Sequence, residues 1–475
     1  MTDPSSASNL ERALDAYARG FQRWLPSPFT IAVILTVVAA LMALRQASAF
    51  EVLDAWRQGL WNEGLIRFAF QAMFMLVLGH VLALAPPVLK ALRKAIDWIV
   101  KAPVNTPAKV ALLSMVMGWV NWGLGLIAGA ILVRGVMDRR RQEGEGSPLA
   151  SVSLGVLGAA GYTGLLVWHG GLGGSAPLKA AEVGHLASLV PNAGWADQLP
   201  EALTLSETAL TGWSQAVTWT VVAVVVLTFA WLGRRIQGGT ANELPEFSQE
   251  PPAPVNDGPA SGGGMAEKLD RSCAVPYVLG LVCLVGAAVW AFKSGSIAKL
   301  AFVTPDWINM VLLGAALLGH GQVRGLLQAL DEAISGASGI LVQFPLYFGI
   351  MGMVSGTGLG AWLAEALVGA TPAAWLPEAL FVSSGVLNVF VPSGGGQWAV
   401  QGPLVLEACH ALGVPFERGI MAMAFGDELT NMLQPFWALP LLGITGLSAR
   451  DILPYTLLVM VVAGAVMLGF LAFWA

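Results

Sequence analysis

The stretch "FGDELTNMLQPFW", Phe425 to Trp437, carries the sharpest chemical signal in the chain. Asp427 and Glu428 are the only charges between Arg418 and Arg450. An ionisable group in an apolar span is costly to bury and marks a functional position, often one that moves protons or ions. Burial favours the protonated form of a carboxyl group. Asp427 or Glu428 could therefore carry a proton alongside an anionic substrate, giving a nearly electroneutral cycle. The competing role is capping of a half-helix, or contact with water at a mouth. Thr430, Asn431 and Gln434 continue the polar face at helical spacing, and Pro435 and Pro440 break the helix.

A second stretch, "NVFVPSGGGQWAVQGP" from Asn388 to Pro403, is flexible and polar, yet no charge lies between Glu378 and Glu407. A helix that begins inside a membrane presents unpaired N–H groups and the positive end of its dipole. Glycine lets an anion approach that backbone closely. Asn388, Pro392, Ser393, Gly394, Gly395, Gly396, Gln397 and Gln401 form this candidate substrate site. The first half offers a counterpart in "VNWGLGLIAGAILV", Val120 to Val133, with Asn121, Trp122, Gly123 and Gly125. For Gly123, Gly125 and Gly129 the competing role is close helix packing. "GAAGYTGLLVWHGGLGG" adds Tyr162, Thr163 and His169, the histidine being read as structural or interfacial.

No Lys or Arg falls inside either glycine-rich core, Lys109 and Arg134 standing only at the edges of the first. Such a site suits one small monoanion; a di- or tricarboxylate would call for more fixed positive charge. Trp122, Trp168, Trp398, Phe390, Phe436 and Trp437 could wall a short apolar tail, or simply pack and anchor at the interface. A nucleotide loop is disfavoured, because no Gly-Lys-Ser/Thr follows the glycines.

These residues need a frame, and composition supplies it. Of 475 residues 56% are hydrophobic and 12% charged, and the mean hydropathy is +0.67. Soluble proteins carry about 25% charged residues, so the surrounding solvent is lipid. The net charge of -5 gives no reason to expect a nucleic-acid partner. Cys273, Cys283 and Cys409 read as small hydrophobic residues, without metal or disulfide spacing. Runs at 28–46, 65–86, 149–170, 210–233, 273–293, 307–323, 339–356, 416–446 and 452–473 suggest about nine crossings. The "ASA" at 47–49 resembles a signal-peptidase site, but a retained first span is the better reading.

Basic residues orient the spans. Arg12, Arg19 and Arg23 precede the first, Lys90, Arg93, Lys94 and Lys101 follow the second, Arg139 to Arg141 precede the third, and Arg234 and Arg235 follow the fourth. They place the N-terminus in the cytoplasm and 176–208 outside. The Pro-, Gly- and acid-rich segment 237–270 reads as a flexible cytoplasmic linker between a first repeat, 1–236, and a part, 271–475, holding an extra connecting helix and a second repeat. Residues 380–391 and 397–406 look too short to cross, which suggests re-entrant hairpins. The expected fold is an all-α polytopic membrane protein of two inverted repeats, each with a re-entrant hairpin and an interrupted helix, as in many secondary transporters.

"LNVFVPSGGGQWAVQGP" from Leu387, "GDELTNMLQPFW" from Gly426, "NWGLGLIAGAILVR" from Asn121 and "HGGLGGSAPL" from His169 resemble the bacterial short-chain fatty acid transporter family. The resemblance runs over essentially the whole chain. It implies an inner-membrane carrier for acids such as butyrate and acetoacetate, within a superfamily of inverted repeats and re-entrant hairpins. Distant members are similar to dimeric elevator carriers, which implies a homodimer. Many of those use sodium and a Ser-Asn-Thr hairpin motif; Pro-Ser-Gly-Gly-Gly stands there in this chain, so sodium coupling does not transfer. The expectation is a carrier of a small monocarboxylate with no cofactor, coupled to protons, with sodium coupling as the alternative. A membrane hydrolase using Ser393, His169 and Asp427 lacks an activated-nucleophile motif, and a passive channel would show no saturable counterflow.

Overall fold

The computed structural model describes residues 16, 28–144, 146–190, 193–236, 272–293, 302, 304–360, 362, 366, 369 and 371–473. Among them all regular structure is helical. The first half holds α1 (Pro28–Ala43), α2 (Ala49–Leu60), α3 (Glu63–Leu84), α4 (Pro86–Val100), α5 (Thr106–Val120), α6 (Trp122–Glu143), α7 (Leu154–Tyr162), α8 (Ser175–Ala180), α9 (His185–Leu189) and α10 (Gly212–Arg235). The second holds α11 (Ala274–Lys293), α12 (Pro305–His320), α13 (Val323–Gly356), α14 (Leu376–Phe390), α15 (Gly394–Leu412), α16 (Phe416–Thr430), α17 (Pro435–Thr445) and α18 (Ala449–Ala472). Local chemistry sets several starts. Ser48 and Glu51 cap α2 reciprocally, and Asn62 and Thr211 cap α3 and α10 through their side-chain oxygens. The Lys109 ammonium donates to the Trp98 (2.7 Å) and Ile99 (3.0 Å) carbonyls, filling acceptors that the end of α4 leaves open.

One group of helices gathers around the long α13, which packs on α1, α2 and α3, while α12 joins α3 to α11. Val278, Leu281, Val282 and Phe292 of α11 are exposed, as lipid-facing side chains should be. The other group surrounds the polar breaks. Here α5 pairs with α6, α7 packs on both, α14 lies along α16, and α18 crosses α7 and α10. Backbones approach closely where Gly118, Gly125 and Gly164 meet; a Cβ on Gly125 would overlap Gly118. That contact is the packing use of small residues in membranes.

The span lengths depart from expectation. By length and hydropathy, four described helices can cross a membrane: Gly212–Arg235, Ala274–Lys293, Ala373–Phe390 and Ala449–Ala472. The bent pair Ala49–Arg67 and Ala69–Leu82, at 48°, would be a fifth. The expected span 149–170 instead ends as α7 at Tyr162, tightens to a 3-10 turn and runs irregularly to Gly174. Likewise 416–446 breaks at Thr430 and restarts at Pro435, whose missing N–H is harmless in a first turn. Helix α13 continues through Pro345 for 34 residues, well beyond 339–356. The glycine-flanked pair is also longer than its expected arms, with 15 residues in α14 and 19 in α15, separated only by 391–393. The linker 237–270 and the leading Arg12, Arg19 and Arg23 lie outside the described residues.

Candidate functional site

A helix broken within an apolar core leaves backbone carbonyls that need donors. The break after α16 finds them on α14. Asn388 Nδ2 lies 2.8 Å from the Asp427 carbonyl, 3.0 Å from Thr430 Oγ1 and 3.1 Å from Asn431 Oδ1. Gln434 Nε2 returns the favour at the end of α14, donating to the Asn388 (2.7 Å) and Val389 (2.9 Å) carbonyls. Ser384 Oγ donates to the Met423 carbonyl at 2.6 Å and accepts from Gln397 Nε2, also at 2.6 Å. Gln397 and Gln401 bond to each other at 3.1 Å, and Gln401 Nε2 reaches Ser383 Oγ. Ser383 and Ser384 escaped the sequence reading, although Ser384 stands one helical turn before Asn388 on the same face.

The break in the first half meets the same place. Tyr162 Oη donates to the carbonyls of Asn431 (2.8 Å) and Gln434 (2.9 Å), and Asn431 Nδ2 donates to that of Leu165. The backbone N–H of His169 donates to Glu428 Oε2 at 2.7 Å, and its Nε2 sits 2.6 Å from Asp427 Oδ2. The His169 and Asp427 side chains are each 1% exposed. His169, read from sequence as structural or interfacial, thus contacts both acids. Its partners lie more than 250 residues away in the chain, beyond the reach of any spacing argument. Thr163 spends its hydroxyl on the Ala160 carbonyl at 2.8 Å.

Two helix starts flank this junction. Ser393 Oγ caps α15, accepting from the Gly396 N–H at 3.2 Å. Gly394 faces the imidazole: a Cβ there would stand 2.8 Å from the Trp168 ring and 3.0 Å from His169 Nε2. Gly395 borders open space and is exposed, while Pro392 before them is buried. Asn121 Oδ1 caps α6 through the N–H groups of Gly123 (2.9 Å) and Leu124 (3.2 Å). Gly123 is filled from outside by Met75. Trp122 lies edge-on to Trp437 at 5.2 Å and to Trp168 at 6.4 Å, an aromatic wall shared by both halves. His169 Nδ1, Asp427 Oδ1, Asn388 Oδ1, Gln397 Oε1 and Gln434 Oε1 are buried without a hydrogen-bond partner among the described residues. Each such atom costs about 1–3 kcal/mol if left unmet, and the four oxygens among them suit a ligand that donates a hydrogen bond.

Trp398 turns away from the junction. Its Nε1–H donates to His185 Nε2 at 2.9 Å, tying α9 to α15. The bond needs a lone pair on Nε2, hence a neutral ring. Burial holds the His185 value below the usual 6.5, opposed by Glu182 and assisted by Lys179. A base whose value is lowered on folding favours the unfolded chain in acid. The contact is therefore fully present above pH 6.5 and is lost as pH falls through the lowered value. Melting temperatures of the wild type and of His185→Asn are expected to differ at neutral pH and to converge in acid; a constant difference would contradict this linkage.

The chain matches the family of short-chain fatty acid transporters over residues 9–474. A protein of Escherichia coli K12, provisionally named a short-chain fatty acid transporter, is 32% identical over 464 residues, covering 94% of this chain and 96% of its own. A Haemophilus influenzae protein with the same provisional name is 32% identical, covering 91% of this chain and 93% of its own. Among solved structures, the YdaH transporter of Alcanivorax borkumensis is similar at TM-score 0.46 and 16% identity, with 94% of this chain and 98% of that chain covered. MtrF of Neisseria gonorrhoeae gives 0.44 and 14%, with 98% of each chain covered.

Proposed function

The chain belongs to the short-chain fatty acid transporter family, and from that premise we propose that it carries monocarboxylates of the butyrate or acetoacetate class across the bacterial inner membrane together with protons. The observation that carries this reading is the junction itself. The first turn of α15 opens at Gly395 and lies against His169, which in turn contacts the buried carboxylate of Asp427. A carboxylate fits the amide end of α15, where the partial positive charge favours an anion. The Trp122, Trp168 and Trp437 rings offer a short acyl chain an apolar wall. Asn121 to Gly125 approach from the other half, and Asp427 or Glu428 supplies the coupling charge.

In this reading the α5–α6 and α14–α15 pairs are re-entrant hairpins of two inverted repeats, and the carrier works as a homodimer with its N-terminus in the cytoplasm. Uptake and counterflow of radiolabelled butyrate in proteoliposomes, with pH and sodium gradients imposed separately, provide the test. Saturable counterflow driven in net by the pH gradient is expected; uptake that follows sodium alone would replace the proton by sodium. Gly394→Ala is expected to raise the butyrate KM several-fold, because its methyl would press on Trp168 and His169. Gly395→Ala, with nothing within 4 Å of the added carbon, should leave the melting temperature unchanged.

A further inference from the structure

We infer that the outward face of α4 is a docking surface for anionic phospholipid headgroups. Helix α4 follows the apolar α3 after the single residue Ala85. Lys90, Lys94, Trp98 and Lys101 are exposed, and their spacing of four, four and three residues sets them on one face. Lys101, just past the last turn, keeps right-handed helical backbone angles and so the same register. Ile96 and Ile99 are buried on the other side. A Cβ on Gly135 would overlap Ile96, so α4 presses directly on α6. A two-faced helix with lysines and tryptophan turned outward sits where bilayer meets water.

Charge identifies the occupant. Asp97 is the only acid of α4, and its carboxylate stands 3.8 Å from Arg139 of α6. Among the described residues none of Lys90, Lys94 and Lys101 has a hydrogen-bond or ion-pair partner. Lys101 lies close enough to Lys109 for the two ammonium charges to repel, and Lys109 Nζ stands 4.8 Å from the centre of the Trp98 ring. Lys94, one turn before Trp98, completes a cluster of cations around that indole. A phosphodiester offsets such repulsion, while a zwitterionic headgroup brings its own cation and gains less. A tryptophan among these lysines fits the headgroup layer, where one end of the ring system is apolar and the other wet. The attraction is electrostatic, so it weakens as salt shortens the reach of each charge, about 10 Å at 0.1 M.

Spin-labelled phosphatidylglycerol and spin-labelled phosphatidylcholine, added in turn to the full-length protein in phosphatidylcholine vesicles, report the fraction of each lipid immobilised at the protein surface. The wild type is expected to hold phosphatidylglycerol several-fold more strongly, with the preference shrinking in high salt. Replacing Lys90, Lys94 and Lys101 together by Gln should bring the two lipids close to parity, and replacing them by Arg should keep the preference. Equal association of both lipids with the wild type overturns the inference, as does a full preference retained by the Gln variant. Should the triple variant fail to fold, Lys94→Gln alone must lower the preference. In detergent, added phosphatidylglycerol should raise the melting temperature of the wild type and not that of the Gln variant. A Gln variant destabilised equally with and without the lipid would mean that the face receives protein, such as the acidic segment 237–270 or a second copy, and would also overturn the inference. Neither measurement involves the substrate, so the outcome is independent of what the carrier moves.

Discussion

Asn in place of Asp427 is expected to reduce butyrate accumulation under an acid-outside gradient to the level of protein-free liposomes. The substitution keeps the shape and a hydrogen bond to His169 Nε2, which lies 2.6 Å from Oδ2 in the wild type, but removes the carboxylate proposed to take up and release the coupled proton. Net proton-driven transport should disappear. Butyrate-induced quenching of tryptophan fluorescence, from Trp122, Trp168 and Trp437, would report whether the acid still reaches the site. Accumulation equal to that of the wild type would remove Asp427 from coupling and leave Glu428 as the remaining acid of the stretch.

The second large effect is expected at Gly426, one residue before the acid. An added Cβ would overlap the Phe381 carbonyl of α14, so α14 and α16 would have to move apart. Overpacking of this kind costs about 1–3 kcal/mol. Separation would also lengthen the bonds from Asn388 and Ser384 to α16, now 2.8 and 2.6 Å. Gly426→Ala should therefore lower both the melting temperature in detergent and the counterflow rate. The same substitution at exposed Gly469, where nothing lies within 4 Å, should change neither; equal melting of the two variants would mean that the tight contact is not structural.

Much of this was legible along the chain. Hydropathy identified α10, α11 and α18 within a few residues, because an unbroken apolar run has one stable form in lipid. The isolated acids at Asp427 and Glu428 and the glycines at 394–396 stood out against their apolar surroundings. The sequence motifs also led to the family that the comparisons establish. Helix ends were less legible. The arms α14 and α15 run beyond 380–391 and 397–406, since small and polar residues inside a protein need not terminate a helix when neighbouring backbones satisfy them.

What composition and order determine, then, is the solvent, the helices and the places where a helix must break. What only the tertiary structure decides is which break meets which. His169 has no local feature that marks it, and its value comes from Asp427 and Glu428, brought to it from 258 and 259 residues away. By pattern alone the side chains of Gln397, Gln401 and Gln434 are each free to face a substrate; folding turns their amide nitrogens onto Ser384, Ser383 and the end of α14. A hydrogen bond depends on position in three dimensions to within a few tenths of an ångström, and no linear spacing carries that information between distant segments.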